Sequence, residues 1–302
     1  MSRAHHRESM AAVKYAVAIF AHNEELAIVQ ALQSISPSDG EAGLHAYVLI
    51  NGCTDRTERV VKEFARKNHW VKPITIEIGD KANAWNVFVH DVAQCYETNF
   101  FLDGDVEIEP GALNALHEQL ARSPEANAAA AIPASGRNRD QMAEYVTERR
   151  LILGNLYALR GDFVRRVQET GVRIPLGYIG DDGIITSLVK WDLNPTGKFC
   201  DERVTPCVNS KFRYRSLSPF RIRDLRLYWR RRVRYSLRHF QHEMLVPLLT
   251  SGGIRAMPDS VTSIYLARRN DIEKFRPRGG LDSIFDRIAL RKIRHAVRFN
   301  QK

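Results

Sequence analysis

Short apolar runs separated by polar loops recur along the first half of the chain, and each predicts a buried β-strand. They comprise residues 15–20 (YAVAIF), 46–50 (AYVLI), 73–78 (PITIEI), 100–102 (FFL) and 128–133 (AAAAIP). Between the runs, apolar residues recur at the three- and four-residue spacing of helices. This alternation predicts an α/β domain with a mostly parallel sheet and helices on both faces.

The helices between these strands have distinct markers. The first presents Leu26, Val29, Leu32 and Ile35 on one face, and the second begins at a capping-box pair, Asp55 and Glu58. Further helices are predicted over residues 84–96, from 110 to about 122, and over 144–155, with a short strand over 156–159. The middle of the chain is therefore less regular than its start.

Two acids follow the fourth predicted strand, in the segment NFFLDGDVEIEP of residues 99–110. Ligands of an open α/β sheet bind at the carboxyl ends of its strands, so Asp103 and Asp105 are candidate site residues. Carboxylate oxygens suit a hard divalent cation whose remaining positions a diphosphate can fill. An isolated Asp-Gly-Asp is also typical of a turn in which the acids only cap the loop. The metal site is thus a hypothesis that needs support from the rest of the chain.

The last third of the chain is basic and amphipathic. Residues 211–302 carry 23 Lys and Arg against 7 Asp and Glu, whereas residues 1–210 carry 22 against 28. Apolar stripes predict two basic helices, one with Leu225, Trp229, Val233, Leu237, Phe240 and Met244, the other with Leu281, Ile284, Phe285, Ile288, Ile293 and Val297. Such helices lie on an anionic membrane surface, pack their stripes onto the domain, or do both. The charge itself predicts an anionic partner.

Length, cysteines and hydropathy narrow the class of protein. A chain of 302 residues with 44% hydrophobic residues forms one large domain or two smaller ones. Its four cysteines are widely spaced without a CxxC pair, which indicates free thiols in a reducing cytosol. No signal sequence or apolar membrane span is visible. We therefore expect a cytoplasmic protein whose basic helices suit the inner face of the membrane.

Six segments, in order, resemble the family 2 glycosyltransferases of the GT-A fold over residues 13–240. They are VAIFAHNEELAIVQALQSI, LINGCTDRT, GDKANAWN, FLDGDVEIEPGAL, LGNLYALRGDFV and GDDGIITSL. The resemblance implies inverting transfer of a sugar from a nucleotide-sugar with one divalent cation, Mn²⁺ or Mg²⁺. We expect a tail over residues 1–12, a GT-A catalytic domain over 13–215 and a basic helical region over 216–302.

The resemblance assigns the nucleotide to the first two loops. It implies that Ala21, Asn23 and Glu24 contact the base and ribose. The second loop normally supplies an acid that accepts the uracil N–H, and this chain has Asn51 there. An asparagine can accept through its oxygen or donate through its amide, so UDP is favoured while GDP stays open.

The resemblance assigns the diphosphate and the metal to the next two motifs. By resemblance, Lys81 lies near the diphosphate, Asp103 faces the ribose or the metal, and Asp105 binds the metal. A cation at this place offsets the charge of the diphosphate and helps it to leave.

Asp181 and Asp182 begin a predicted helix, where acids are also favoured simply as caps. Inversion in one displacement needs a carboxylate that takes the proton of the acceptor hydroxyl. The resemblance places this base at Asp182. Asp181 stands where the family more usually has Glu, which leaves the role of Asp181 on the acceptor or diphosphate side open.

The segment RRVRY of residues 231–235 faintly resembles the Gln-x-x-Arg-Trp motif of processive family members, but it lacks the glutamine and the tryptophan. Processive synthases also carry membrane spans, so the addition of a single sugar is favoured. Arg231 and Arg234 are then expected to bind the diphosphate or an acceptor phosphate.

The expected function is transfer of one sugar from a UDP-sugar to a glycan or lipid-linked acceptor in surface or exopolysaccharide synthesis. A phosphate- or nucleic-acid-binding protein would leave the acidic first 210 residues without a purpose, and the basic third has no recognisable nucleic-acid-binding signature. A Rossmann dehydrogenase would need G-x-G-x-x-G after the first strand. A nucleotidyltransferase would need a glycine-rich, Arg-containing loop there.

Overall fold

One sheet organises the protein. The computed structural model describes residues 14–35, 43–215 and 222–299. In these residues eight strands pair: β1 (Tyr15–Ala21), β2 (Leu44–Asn51), β3 (Val71–Ile76), β4 (Thr98–Asp103), β5 (Val106–Ile108), β6 (Ala128–Pro133), β7 (Leu156–Arg160) and β8 (Val204–Tyr214). Their order is β3-β2-β1-β4-β7-β6-β8-β5. The predicted tail over residues 1–12 lies outside the described residues.

The sheet is parallel on one side and mixed on the other. β3, β2, β1 and β4 are parallel neighbours. β7 is antiparallel to both β4 and β6, β8 is parallel to β6, and β5 is antiparallel to β8. Helices cover both faces, so the predicted mostly parallel α/β class is confirmed.

The described helices are α1 (Ile28–Ser34), α2 (Thr57–Lys67), α3 (Lys81–Val87), α4 (Ala112–Arg122), α5 (Arg139–Thr147), α6 (Gly161–Thr170), α7 (Asp181–Trp191), α8 (Ile222–Gly252), α9 (Val261–Ala267), α10 (Arg269–Ile272) and α11 (Asp282–Phe299). A π-helical turn, Phe88–Val92, continues α3. The core lies around β4, where the Phe101 ring stacks on Tyr157 with 4.7 Å between centroids. Its largest side chains are aromatic, which favours tight packing of the central strands.

The first helix begins later than its apolar pattern predicted. Leu26 precedes α1 and is 80% exposed, while the buried positions are Ile28, Ala31 and Leu32, followed by Ile35. The reason is local: the N–H groups of residues 27 and 28 both bond to the carbonyl of residue 24, so a turn occupies the first positions. The predicted apolar face was therefore wrong at Leu26.

Two further boundaries differ from prediction. β3 begins at Val71 and ends at Ile76, because the Ile76 carbonyl accepts the N–H of residue 52 and closes the pairing with β2. The capping box at α2 does not form. Asp55 Oδ1 accepts the Thr57 N–H at 2.9 Å, but the Glu58 carboxylate bonds to side chains of residues 62 and 75 instead.

In the middle, the predicted helix over 144–155 is α5, which ends at Thr147, and residues 148–155 are not helical. The predicted helix over 84–96 is α3 with its π-helical turn. The basic segment starting at residue 211 begins as the end of β8 rather than as a helix. The short strand over 156–159 and the helix beginning at residue 181 are present as β7 and α7.

The basic helices α8 and α11 turn much of their apolar stripes inward. Phe240 and Met244 of α8 and Ile293 of α11 are buried in the same core as the sheet. Trp229, Leu281 and Ile284 stay exposed; the side chain of Leu225 lies outside the described ones. Within the described residues, no helix is long and apolar enough to cross a membrane.

Candidate active site

Parallel pairing gathers the donor-side candidates at one edge of the sheet. β1 lies between β2 and β4, with Ala21 beside Ile50 and Phe20 beside Asp103. Asn51 ends β2 and Asp103 ends β4. The Ala21 side chain is fully buried, so this residue offers a ligand only its backbone.

Asn23 joins the loops that follow β1 and β2. Its Oδ1 accepts the backbone N–H of Thr54 at 2.8 Å and that of Asp55 at 3.3 Å. The next N–H, of Glu24, donates to Thr57 Oγ1 at 2.8 Å. Asn23 has a φ of 58°, a left-handed conformation that asparagine adopts more readily than most residues. The two loops thus form one wall of the site, and the hydrogen bonds of Asn23 hold them together.

The second loop is tied to the third through Asn51. Its Oδ1 accepts the Asp80 N–H at 2.9 Å, and its backbone carbonyl lies 2.6 Å from His22 Nδ1. Asp80 then caps α3 by accepting the Asn83 N–H at 3.1 Å. One lone pair of the Asn51 amide oxygen is therefore already engaged, which bears on the base that Asn51 can recognise.

Gly104 explains why the two strand-end acids are separated by glycine. Its N–H donates to the Phe20 carbonyl at 2.9 Å, and a Cβ at this position would lie 2.8 Å from that same oxygen. Only glycine allows the chain to pass so close to β1. The close approach turns Asp103 toward the interior, half-buried, while Asp105 is exposed.

Lys81, the first residue of α3, connects the strand-end acids to the acid pair of α7. Its Nζ lies 2.6 Å from Asp103 Oδ1 and 3.5 Å from Asp181 Oδ2. Burial alone would lower the pKa of Lys81, but these two carboxylates raise it above its ordinary value. Lys81 therefore stays charged and holds two parts of the site at one place.

Two acids of the site are hard to ionise. Burial, with the charges of Asp105 and Asp103, raises the pKa of Glu24 to about 7. Burial raises the pKa of Asp103 to about 6, although Lys81 opposes the shift. Glu24 therefore faces the acid cluster as well as the nucleotide loops, and a cation bound there would relieve the repulsion.

Asp181 and Asp182 lie at the first turn of α7. Asp181 is 8% exposed, and its Oδ2 accepts no hydrogen bond from the described residues. Asp182 Oδ1 accepts the Gly183 N–H at 2.9 Å and lies 3.2 Å from Arg238 Nη1. Burial and the Asp181 charge raise the pKa of Asp182, whereas Arg238 and Lys81 lower it. Both acids thus do more than cap the helix.

Asp182 opens into a cleft of about 1050 Å³, which also reaches Asp103 and Asp105. Arg231 of α8 lines the cleft, and its charge lowers the pKa of Glu24 against the larger effects of burial and of Asp105. Arg234 is exposed and does not line the cleft, so the structure does not bring it to the other candidates.

Several arginines that line the cleft could not be singled out from the sequence. Arg137 follows β6, Arg215 follows β8, and Arg232 and Arg238 lie on α8. The basic segment 211–240 holds eleven Lys and Arg, so its composition gave no sign of which ones face the cleft. For Arg238 the sequence held an indirect signal. The glycines at 180 and 183, which flank the acid pair, leave space there for a neighbouring side chain.

The residues present fit a divalent cation only if the ligand supplies most of its coordination. Within the described chain, no three His, Cys, Asp or Glu side chains converge on a metal position. Asp105 is exposed and Asp103 lies close by, at hand for a hard cation. Such an arrangement would suit a cation carried on a diphosphate, with Asp105 as the candidate protein ligand.

The comparisons with known proteins identify the family of the chain. Residues 16–172 match the model of glycosyl transferase family 2, which is half of the chain. The chain therefore belongs to glycosyl transferase family 2, and it is a glycosyltransferase that acts on nucleotide-sugars. None of the curated proteins matches it.

Two solved structures share the fold. A mannosyltransferase from Pyrobaculum calidifontis, in complex with GDP-Man and Mn²⁺, has a TM-score of 0.58 at 16% identity over 97% of this chain and 89% of that chain. Glucosyl-3-phosphoglycerate synthase from Mycobacterium tuberculosis, in complex with Mn²⁺, UDP-Glc and phosphoglyceric acid, has a TM-score of 0.52 at 18% identity over 82% and 81%. At these identities the likeness shows the GT-A fold, and the predicted fold is confirmed.

Proposed function

We propose that the protein transfers one sugar, with inversion, from a UDP-sugar to a glycan or lipid-linked acceptor, in surface or exopolysaccharide synthesis. The observation that carries this proposal is the position of Lys81. It joins the strand-end Asp103 to Asp181, beside Asp182, so that donor-side and base-side groups meet at the head of one cleft.

The donor is proposed to lie along the carboxyl edge of the sheet. The loop backbone at Ala21 and the side chains of Asn23 and Asn51 would form the wall for base and ribose, with Glu24 and Asp103 beyond them. Asp105 would hold Mn²⁺ or Mg²⁺, which when bound offsets the charge of the departing diphosphate. Lys81 and Arg231 would add positive charge on either side of that diphosphate.

Asp182 is proposed as the base. The oxygen of the acceptor hydroxyl attacks the anomeric carbon as the bond to the diphosphate breaks, and Asp182 takes the hydroxyl proton. The Gly183 N–H and Arg238 hold the carboxylate toward the cleft. Asp181 lies behind it, against Lys81, so we assign Asp181 to the charge balance of the diphosphate rather than to proton transfer.

The cleft favours an acceptor that carries a negative charge. Among the described residues, the acids that line it are limited to Asp103, Asp105 and Asp182, whereas the arginines that line it are five: Arg137, Arg215, Arg231, Arg232 and Arg238. Arg232 and Arg238 are paired with carboxylates. The other three have no such partner among the described residues, and an anionic group on the acceptor, such as a phosphate, would supply one.

A GDP-sugar is the second candidate, and the Asn51 contact favours it. Because the Asn51 amide oxygen already accepts the Asp80 N–H, its Nδ2 group is the better placed to bind a base. Guanine offers O6 and N7 as acceptors to such a donor; uracil also offers O2 and O4, but its N3–H would find no acceptor in the Asn51 amide group.

Calorimetry with a panel of UDP- and GDP-sugars, in Mn²⁺ and in EDTA, tests the proposal. We expect binding of one nucleotide class that is much weaker in EDTA, and transfer to a phosphate-bearing acceptor in preference to its neutral counterpart. If no nucleotide-sugar of either class binds in Mn²⁺, the proposed donor site is wrong.

Two further proposals concern the organisation of the chain. We propose that residues 13–215 form the catalytic domain and that 216–302 form a basic region that is packed on it. With a lipid-linked acceptor, the exposed Tyr228, Trp229 and Leu281 beside the arginines would contact an anionic membrane surface from the cytoplasmic side.

A further inference from the structure

Arg238 of α8 reaches the turn that carries the acid pair of α7. Its Nη1 lies 3.2 Å from Asp182 Oδ1 and 3.4 Å from Asp182 Oδ2. The Asp182 side chain is 19% exposed and that of Arg238 is 39% exposed, so this pair lies at the wall of the cleft rather than in open solvent. An ion pair in such a place is worth more than one on the surface.

Two glycines make room for the Arg238 side chain. A Cβ at Gly180 would lie 2.4 Å from Arg238 Nε, and one at Gly183 would lie 3.0 Å from Arg238 Nη2. Gly180 also has a φ of 90°, a backbone conformation that residues with a side chain rarely adopt. The guanidinium is therefore seated against the backbone on both sides of Asp181 and Asp182, a fit that an arginine in solvent does not need.

The helix that carries Arg238 is bonded to the same turn. Gln241, one helical turn later, accepts the Ile179 N–H on its Oε1 at 2.8 Å. Its Nε2 donates to the Tyr265 hydroxyl of α9 at 2.8 Å, and both Gln241 and Tyr265 are buried. These hydrogen bonds join α8 to the turn that precedes the acid pair.

We propose that Arg238 is a positioning residue for Asp182, so that the C-terminal helical region completes the active site rather than serving only as an attachment to a surface. This inference rests on the proposed role of Asp182. Arg238 directs the carboxylate into the cleft and keeps it ionised until it takes the acceptor proton.

The charges around Asp182 make the effect of Arg238 predictable. Asp181 on the same helix turn raises the pKa of Asp182, as burial does, and Lys81 of α3 and Arg238 of α8 lower it. Tyr157 of β7 and Tyr178, before α7, also face the acid pair. Of these two cations only Lys81 remains when Arg238 is removed, so the carboxylate is protonated at a higher pH.

The first test replaces Arg238 with Gln and with Lys, with Arg230→Gln as the matched control. Arg230 lies two turns earlier on α8, is exposed and does not line the cleft. In Arg238→Gln we expect the acid limb of the pH–rate profile to move up by about one unit and turnover to fall about tenfold or more, with donor affinity unchanged. Arg238→Lys should restore most of both. Superimposable profiles for Arg238→Gln and the unmodified protein would overturn the inference.

The second test needs no turnover and so separates this inference from the proposed function. Aspartate labelled with ¹³C in the carboxyl group is titrated by NMR, with the Asp182 signal identified through Asp182→Asn. The midpoint should rise in Arg238→Gln, and in Gly183→Ala by a smaller amount, because the added methyl group displaces the guanidinium. Gly183→Ala should have no effect when Arg238→Gln is already present. An unchanged Asp182 midpoint in Arg238→Gln would refute the positioning role even if no donor had been found.

Discussion

The ion pair of Asp286 with Arg278 should stabilise the packing of the C-terminal helices. The Asp286 side chain is fully buried on α11. It accepts three hydrogen bonds from Arg278: from the backbone N–H and from Nη2 at 2.8 Å each, and from Nε at 3.0 Å. Ser236 of α8 lies 3.4 Å from Arg278 Nη2, so the pair joins α11 to the helix that carries Arg238.

The contribution of this ion pair to stability follows from the pKa of Asp286. Burial alone would raise that pKa, but the hydrogen bonds of Arg278 and Ser236 lower it from 3.8 to about 2. A difference of just under two pH units, at about 1.4 kcal/mol per unit, stabilises the folded protein by about 2.5 kcal/mol. Because the folded pKa is the lower one, this stability is fully present above about pH 4 and is lost as the pH falls toward 2.

Asp286→Asn should therefore lower the free energy of unfolding at pH 7 by about 2.5 kcal/mol, because it removes the carboxylate that Arg278 stabilises in the folded protein. Urea denaturation at pH 7, 4 and 3 measures this. The difference between the variant and the unmodified protein should shrink below pH 4, because the carboxyl of Asp286 is then protonated in the unfolded chain, and near pH 2 in the folded protein as well.

The control is Glu118→Gln, which removes the 2.6 Å pair with Arg122 on the surface of α4, where the two side chains are 58% and 68% exposed. Solvent screens such a pair, so we expect a change of less than about 0.5 kcal/mol. If Asp286→Asn lowers the free energy of unfolding no more than this control does, our account of the ion pair is wrong. The same holds if the loss at pH 3 equals the loss at pH 7.

Three further predictions concern the site and the surface. Asp105→Ala should abolish the Mn²⁺-dependent part of nucleotide affinity, and equal affinity of the unmodified protein in EDTA and Mn²⁺ would remove the case for a metal. Asp182→Asn should lower transfer at least about 100-fold with nucleotide affinity nearly unchanged, and Asp181→Asn should lower it less; a variant at residue 182 that keeps a tenth of the turnover would place the base elsewhere. The protein should float with anionic liposomes at low salt and less at high salt, at about 1 kcal/mol per basic residue near the surface; absence of flotation at low salt would leave α8 and α11 as packing elements.

Local pattern was enough to predict the first half of the fold. Buried parallel strands read as continuous apolar runs, so β1, β2, β4 and β6 could be located from the sequence. Strand-end position is a local property too, and Asp103 and Asp105 were predicted from it. The start of α1 was not predictable in the same way, because the turn before it depends on a loop bonded to Thr57, more than thirty residues away.

Tertiary structure alone decided which side chains meet. The sequence contains the acids at 103 and 181 and the lysine at 81, but only the pairing of β4 with β1 and β7 sets Lys81 between the two acids. The same holds for the basic third, where neighbouring arginines on one helix are chemically identical and differ only in the direction they face. Arg238 meets Asp182 because Gln241 fixes α8 to the turn before α7 and two glycines leave space for the guanidinium. Contacts between segments distant in sequence depend on packing, which residue periodicity does not encode.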